Sequence, residues 1–176
     1  MKQFTLLFFY FLSSLLAPGT AAAQDSGEDL HLPQDYLSNT LPVMYVTTDS
    51  LKPIVSKEQY LKGSYYLDPN GIEGIDSIGS VDNQLPLEIR GRGNASWRLD
   101  KKPYRIKLDK KTSFMGMPKS KHFALMAHYT DWRGYLKEES GYEVSRRMKL
   151  AFTPEQHPIE LVINGDYKGI YFLTQN

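Results

Sequence analysis

Four basic residues flank a glycine-containing turn, and they are the residues of this sequence best suited to binding an anion. On each side of the turn, apolar residues recur at every second position, a pattern typical of a β-strand with one buried face. The basic residues occupy the intervening positions: Arg90, Arg92, Arg105 and Lys107. The pattern therefore predicts two neighbouring strands that present a basic face beside residues 91–97.

The turn itself permits two interpretations. Gly91 and Gly93 could bring backbone N–H groups close to phosphate oxygens because they have no side chains, or they could simply form a tight turn or bulge. Asn94 and Ser96 could donate hydrogen bonds to a phosphate, or close an Asx-type turn. Residues 94–96 also form an Asn-X-Ser glycosylation sequon.

The elements that must position these residues are mostly strands. Alternating or β-branched patterns predict strands at 43–48, 59–67, 85–92, 104–108 and 122–127. A helical pattern follows from about residue 132 to residue 148, and a hairpin through Asn164-Gly165 joins strands at 159–163 and 167–173. This order predicts an α+β fold, in which one helix packs on one side of an antiparallel β-sheet.

The composition is that of an ordinary globular protein, because 41% of the 176 residues are hydrophobic and 23% are charged. The 21 basic residues are balanced by 20 acidic ones, which argues against nucleic acid as a partner. The absence of cysteine excludes disulfides, thiolate metal sites and a cysteine nucleophile. The acidic loop at 68–76 lacks the ligand spacing of an EF-hand, so no metal site is predicted.

The first 23 residues have the organisation of a signal peptide. Lys2 supplies a positive start, residues 4–17 form an apolar run, and residues 21–23 supply the small side chains that a signal peptidase recognises. The run is shorter than the roughly 20 apolar residues of a membrane-spanning helix. The sequence therefore predicts export to an extracellular, periplasmic or cell-surface location, with no stable membrane span after cleavage. A flexible segment at 24–40 is expected to precede one domain at 41–176.

Five motifs in the domain occur in the same order as in a known family. They lie at residues 90–97, 101–108, 116–125, 143–148 and 161–173. Together they resemble the successive motifs of the CotH kinase family, named for spore coat protein H. The resemblance implies the N-terminal lobe of an atypical protein-kinase-like fold. It also implies an exported enzyme that uses ATP with Mg²⁺ or Mn²⁺ to phosphorylate serine or threonine in secreted, surface or coat proteins.

The resemblance further implies roles in nucleotide binding. Lys107, or alternatively Lys102, would point its ammonium at the ATP phosphates, and Glu143 on the predicted helix would orient that lysine. Plainer roles are open for the same residues, since Lys107 and Arg105 suit a solvated strand face and Glu143 suits a surface ion pair. The predicted cofactor-binding residues are Arg92, Gly93, Asn94, Ser96, Lys102, Arg105, Lys107 and Glu143.

The sequence departs from the family pattern near its end. The family has a glutamate where this chain has Gln175, and its domain extends well beyond the position of Asn176. In kinases the second lobe supplies the acidic residues that hold the metal ions. The resemblance therefore implies a truncated, inactive portion without catalytic residues of its own. Two other functions remain open, a nucleotide-binding pseudokinase and a non-catalytic spore-coat or cell-surface interaction module.

Overall fold

The computed structural model describes residues 37–131 and 136–175. The predicted signal peptide lies outside these residues, as do most of the predicted flexible segment and the beginning of the predicted helix. No helix within the described ranges is long and apolar enough to cross a membrane.

Seven strands form the sheet of the described residues. They are β1 (Val43–Thr48), β2 (Leu61–Asp68), β3 (Leu85–Gly91), β4 (Tyr104–Thr112), β5 (Ser120–Met126), β6 (Gln156–Ile163) and β7 (Asp166–Gln175). Each segment predicted to be a strand forms one, with its ends shifted by a few residues. Between β5 and β6 lies the helix α1 (Leu136–Arg147).

The strands close into a barrel. β1 to β5 pair in chain order, β5 then pairs with β7, and β7 pairs with β6, always antiparallel. A parallel pair between β1 and β6 closes the ring, with Val43 opposite Glu160 and Val46 opposite Ile163. Both edges of the described sheet are therefore paired, which removes the exposed edge strands that promote aggregation.

Alternate residues of every strand fill the barrel core. The buried positions of β3 and β4 include Leu87, Ile89, Ile106 and Leu108, none of which is more than 3% exposed. The opposite face of the same two strands carries the arginines, as the alternating pattern predicted. The barrel thus fixes the direction of each basic side chain by burying its neighbours.

The prediction of an α+β fold resembling a kinase N-terminal lobe is wrong. The sheet is a closed barrel rather than an antiparallel sheet with one face for a helix to cover. α1 buries no residue, and its apolar residues Leu136 and Val144 are 63% and 55% exposed. A barrel turns its apolar face inward on itself, so a packed helix is not required to complete the core.

The predicted hairpin through Asn164-Gly165 is confirmed. Ile163 pairs with Asp166 across the two-residue turn, and the turn residues have φ of 53° and 79°. Positive φ at both positions is what this tight hairpin turn requires. The Asn164 side chain also accepts a hydrogen bond from the Thr48 N–H at 2.8 Å, which ties the hairpin to the end of β1.

Candidate functional site

Three arginines lie together beside the glycine turn, and we call them the arginine cluster: Arg90, Arg92 and Arg105. Arg90 and Arg105 are direct partners in the register of β3 and β4. The cluster lines a cavity of about 340 Å³ whose other lining residues are Lys57, Glu58, Gly93 and Asn94. The structure therefore brings together four of the predicted cofactor-binding residues, Arg92, Gly93, Asn94 and Arg105.

The cluster concentrates positive charge at an electrostatic cost. Like charges on directly opposed strand positions destabilise a sheet, by the order of 0.2–1 kcal/mol. Burial, and next the charge of Arg105, lower the pKa of Arg92. A guanidinium is nevertheless always charged in proteins. An anion bound between these side chains would offset both the repulsion and the partial loss of water.

Contacts with neutral groups hold two of the guanidiniums in place. The Arg90 guanidinium donates to the Lys57 carbonyl and lies 5.0 Å from the ring centroid of Tyr60. The Arg92 guanidinium donates to the Met126 thioether sulfur. These contacts orient the planar groups without neutralising their charge, so the guanidiniums keep their capacity to bind a phosphate or carboxylate through two parallel hydrogen bonds.

Packing within the turn explains why residues 91 and 93 are both glycine. A Cβ at Gly91 would lie 2.4 Å from a ring carbon of Trp97, and the Gly91 N–H donates to the Ser56 carbonyl at 2.8 Å. Gly93 has φ of +84°, and a Cβ there would lie 2.1 Å from the Ser96 hydroxyl oxygen. The Gly91 N–H is thus committed to the fold, and Ser96 packs against the turn, while Gly93 and Asn94 line the cavity.

The two candidate lysines lie outside the cavity of the arginine cluster. Lys102 donates to the carbonyls of Trp97 and Leu99 at 3.1 and 3.0 Å, so it holds the loop that follows the glycine turn. Lys107 pairs at 2.7 Å with Glu88, its direct cross-strand partner. The hydrogen bond to Glu88 raises the pKa of Lys107.

Glu143 pairs with its own helix. Its carboxylate lies 3.1 Å from Nε of Arg146 and 2.7 Å from Nε of Arg147. Hydrogen bonds from Arg147, and then from Arg146, lower the pKa of Glu143. The structure therefore places Glu143 and Lys107 in separate ion pairs, and the expected pair between them is not formed.

Sequence analysis missed several residues of this site. The sequence pattern places Arg90 on the basic face but does not predict it as a cofactor-binding residue, because its position opposite Arg105 depends on the register of β3 and β4. Lys57 and Glu58 precede β2, and they reach the site because the Ser56 carbonyl accepts the Gly91 N–H. No local pattern indicates that contact.

The described residues contain no group of three or more His, Asp and Glu side chains that could hold a metal ion. The acidic loop after β2 forms a turn in which the Asp68 carboxylate accepts the Asn70 N–H at 2.8 Å.

A second cavity, of about 620 Å³, surrounds Lys101. The Lys101 ammonium donates to the Ile170 carbonyl and lies 4.7 Å from the ring centroid of Tyr171. Burial lowers the pKa of Lys101 from 10.5 to about 8. We call this space the Lys101 cavity.

The free energy of unfolding is expected to rise between about pH 8 and pH 10. In this range the unfolded chain binds more protons at Lys101 than the folded chain, because the pKa of Lys101 falls from 10.5 to about 8 on folding. Tyr104 and Tyr171, whose pKa values burial raises above 10, have the opposite effect only above about pH 10.

Urea unfolding at a series of pH values measures this dependence. Lys101→Met should flatten the rise, while Lys111→Met, at an exposed position of β4, should keep it. An unchanged pH profile in Lys101→Met would contradict the assignment to Lys101.

The model of the family described as CotH kinase protein matches residues 89–176, half of the chain. The matched segment begins in β3, contains all of the turn and β4, and so includes the whole arginine cluster. No curated protein matches the chain.

Proposed function

The chain belongs to the CotH kinase protein family, and we propose that its arginine cluster binds the phosphate groups of ATP in the phosphorylation of serine or threonine residues of exported proteins. The observation that carries this proposal is the direct opposition of Arg90 and Arg105 beside Arg92. Like charges at directly opposed strand positions are unfavourable to a sheet by themselves. Bound phosphate would turn the repulsion into three attractive contacts.

The site suits phosphate in its chemistry and its size. Guanidinium groups bind phosphate oxygens through charge-assisted, paired hydrogen bonds, which are roughly twice as strong as neutral ones. A cavity of about 340 Å³, lined in part by Gly93 and Asn94, accommodates a phosphate chain. The step that we assign to these residues is to bind the phosphates, orient them and neutralise part of their charge.

The lining residues of this cavity do not form a binding site for the metal ion that a kinase uses with ATP. The described residues offer guanidinium and amide groups around the cavity, with Glu58 as the one carboxylate among its lining residues. A single carboxylate does not make a Mg²⁺ or Mn²⁺ site. We therefore derive no step through the metal from these residues.

The proposed substrate class follows from the sequence of the first 23 residues. A signal peptide directs the chain out of the cytoplasm, and its protein substrates would then be secreted, surface or coat proteins. Mass spectrometry of the mature protein from its native source tests this part, because cleavage after Ala23 leaves Gln24 as the first residue. An intact N-terminus would contradict export by this route.

Calorimetric titration of the purified chain with ATP, ADP, AMP and adenosine tests the phosphate site. We expect affinity to fall with each phosphate removed, and to fall as salt is raised, because partly exposed charges are screened. Adenosine should show no measurable binding.

The possible outcomes separate the candidate functions. Adenosine binding as tightly as ATP would contradict recognition through the phosphates. ATP binding together with transfer of labelled phosphate to a serine-rich acceptor would support a kinase, and binding without transfer would support a pseudokinase. No binding of any nucleotide would favour the surface-interaction module.

A further inference from the structure

We propose that the outer surface of α1 and of the segment that follows it binds an anionic lipid bilayer. This surface carries four apolar residues that we call the apolar patch: Val144, Met148, Leu150 and Phe152. Their exposed fractions are 55%, 67%, 54% and 71%. Apolar side chains that are exposed as a group, rather than singly, mark a surface that binds a partner. The patch lines neither the cavity of the arginine cluster nor the Lys101 cavity, so it is a separate site.

α1 contacts the rest of the chain through polar residues rather than apolar ones. The Glu138 carboxylate lies 3.1 Å from Nδ1 of His128, and the Glu139 carboxylate accepts from the Gln156 side-chain amide at 3.2 Å. Successive helical residues are turned by about 100°, which places Val144 on the other side of the helix. A surface helix normally does the reverse and packs its apolar stripe on the core. The apolar side of α1 is therefore directed away from the barrel.

Two backbone N–H groups at the end of α1 are paired with helix carbonyls. The Lys149 N–H donates to the Arg146 carbonyl at 3.0 Å, and the Leu150 N–H donates to the Ser145 carbonyl at 3.2 Å. These bonds are those of a Schellman motif, and Lys149 has the positive φ, 53°, that the motif requires. A backbone N–H without a partner would cost free energy on entering a bilayer. Because these groups are already paired, Leu150 can enter the lipid interface without that cost.

Basic residues interleaved with the apolar patch indicate the charge of its partner. Residues 146–152 contain Arg146, Arg147 and Lys149 and no acidic residue. Glu139 and Glu143 pair with the two arginines, but the Arg147 side chain is still 80% exposed, and Lys149 is exposed as well. These long side chains can reach anionic headgroups while their apolar neighbours enter the acyl boundary, an arrangement typical of segments that bind at a membrane surface.

Protruding side chains favour a fluid bilayer over a shaped partner. Met148 and Phe152 are each more exposed than buried. A protein partner would need a pocket shaped for each of them, because interface cores pack as closely as protein interiors. Lipid acyl chains adapt to the side chains that they receive, and binding becomes stronger with the apolar area inserted. The apolar patch therefore determines whether the chain binds, and the basic residues determine which lipid it prefers.

Co-sedimentation with lipid vesicles tests the proposal. The chain from Gln24 onward is used, because the apolar run at 4–17 would bind lipid by itself and all seven strands lie after Gln24. Vesicles of phosphatidylcholine alone are compared with vesicles of phosphatidylcholine mixed with phosphatidylglycerol. We expect the anionic vesicles to bind more tightly, by about five-fold for each basic residue close to the surface, and this preference to fall as salt is raised.

Variants connect the binding to the patch. Leu150→Ser and Phe152→Ser should each lower vesicle affinity by about tenfold and keep the Tm, because both side chains are mostly exposed in the free chain. Val81→Ser, at a position that is 56% exposed in the loop between β2 and β3, is the matched control and should change nothing. Lys149→Gln should reduce the preference for anionic vesicles, while Lys111→Gln should keep it.

Three results would overturn the proposal. The first is no binding to vesicles of either composition, and the second is equal binding to both; neither needs a variant. The third is binding that Leu150→Ser and Phe152→Ser leave unchanged. Loss of vesicle binding in Arg105→Gln alone would place the headgroups at the arginine cluster. Self-association of the chain that both serine variants abolish, with no vesicle binding, would make the patch an interface between two copies.

Discussion

Replacing Arg105 by glutamine is expected to weaken ATP binding by about 10- to 150-fold. A hydrogen bond to a charged group contributes about 1.5–3 kcal/mol, and this range corresponds to that loss of affinity. Glutamine keeps a similar length and polarity at the strand position, so the loss reports the missing positive charge. Calorimetric titration of ATP into the variant and the wild-type chain measures it.

The same substitution also removes one of two like charges from the free protein. Arg105 stands directly opposite Arg90, and removing one of two opposed like charges relieves a repulsion of the order of 0.2–1 kcal/mol. Weaker binding with unchanged or higher stability is the signature of a residue retained for its ligand. Equal losses of binding and of thermal stability would instead assign Arg105 a structural role.

Two lysine substitutions on β4 serve as comparisons with Arg105→Gln. Lys111→Gln removes an exposed charge of the same strand and should change ATP affinity little. Lys107→Gln examines the role implied by the family resemblance. A large loss of affinity in Lys107→Gln with none in Arg105→Gln would place the phosphates at Lys107 and contradict our assignment to the arginine cluster.

Replacing Gly63 by alanine is expected to destabilise the fold by about 3 kcal/mol. Gly63 lies in the antiparallel pairing of β2 with β1, opposite Thr48 in the register. A Cβ at this position would lie 2.3 Å from the carbonyl oxygen of Thr47 and 3.0 Å from Cα of Thr48. Both atoms belong to the backbone, so the clash can be relieved only if β1 and β2 move apart and lose ladder hydrogen bonds.

Thermal and urea unfolding measure this effect, with Gly141→Ala as the matched control. For a chain of this size the expected loss corresponds to a fall in Tm of about 10 °C. Gly141 lies in α1 with nothing within 4 Å of the added Cβ, and alanine is the better helix former by up to about 1 kcal/mol. Gly141→Ala should therefore not reduce stability. A Gly63→Ala protein as stable as the wild type would contradict the close approach of the β1 backbone to Gly63.

Much of the local structure follows from the sequence alone. Alternation of Leu87 and Ile89 with Arg90 predicts both the strand and its two faces, because successive side chains of a strand point in opposite directions. Asn164-Gly165 predicts the hairpin turn, because few other residue pairs accept positive φ at both positions. The basic face itself is predicted in the same way. These features depend on interactions between residues that are close in the sequence.

The tertiary structure alone decides how these pieces are combined. The parallel pairing of β1 with β6 closes the barrel, and α1 then buries no residue against it. This pairing joins two segments that are far apart in the chain, and no local sequence pattern indicates it. Lys107 and Lys102 are equally good phosphate ligands by type. Glu88 across the strand pair and the carbonyls of Trp97 and Leu99 engage them instead. The register that sets Arg90 against Arg105 is the reason why we propose the arginine cluster as the anion site, because like charges held together by the sheet gain from a shared anion.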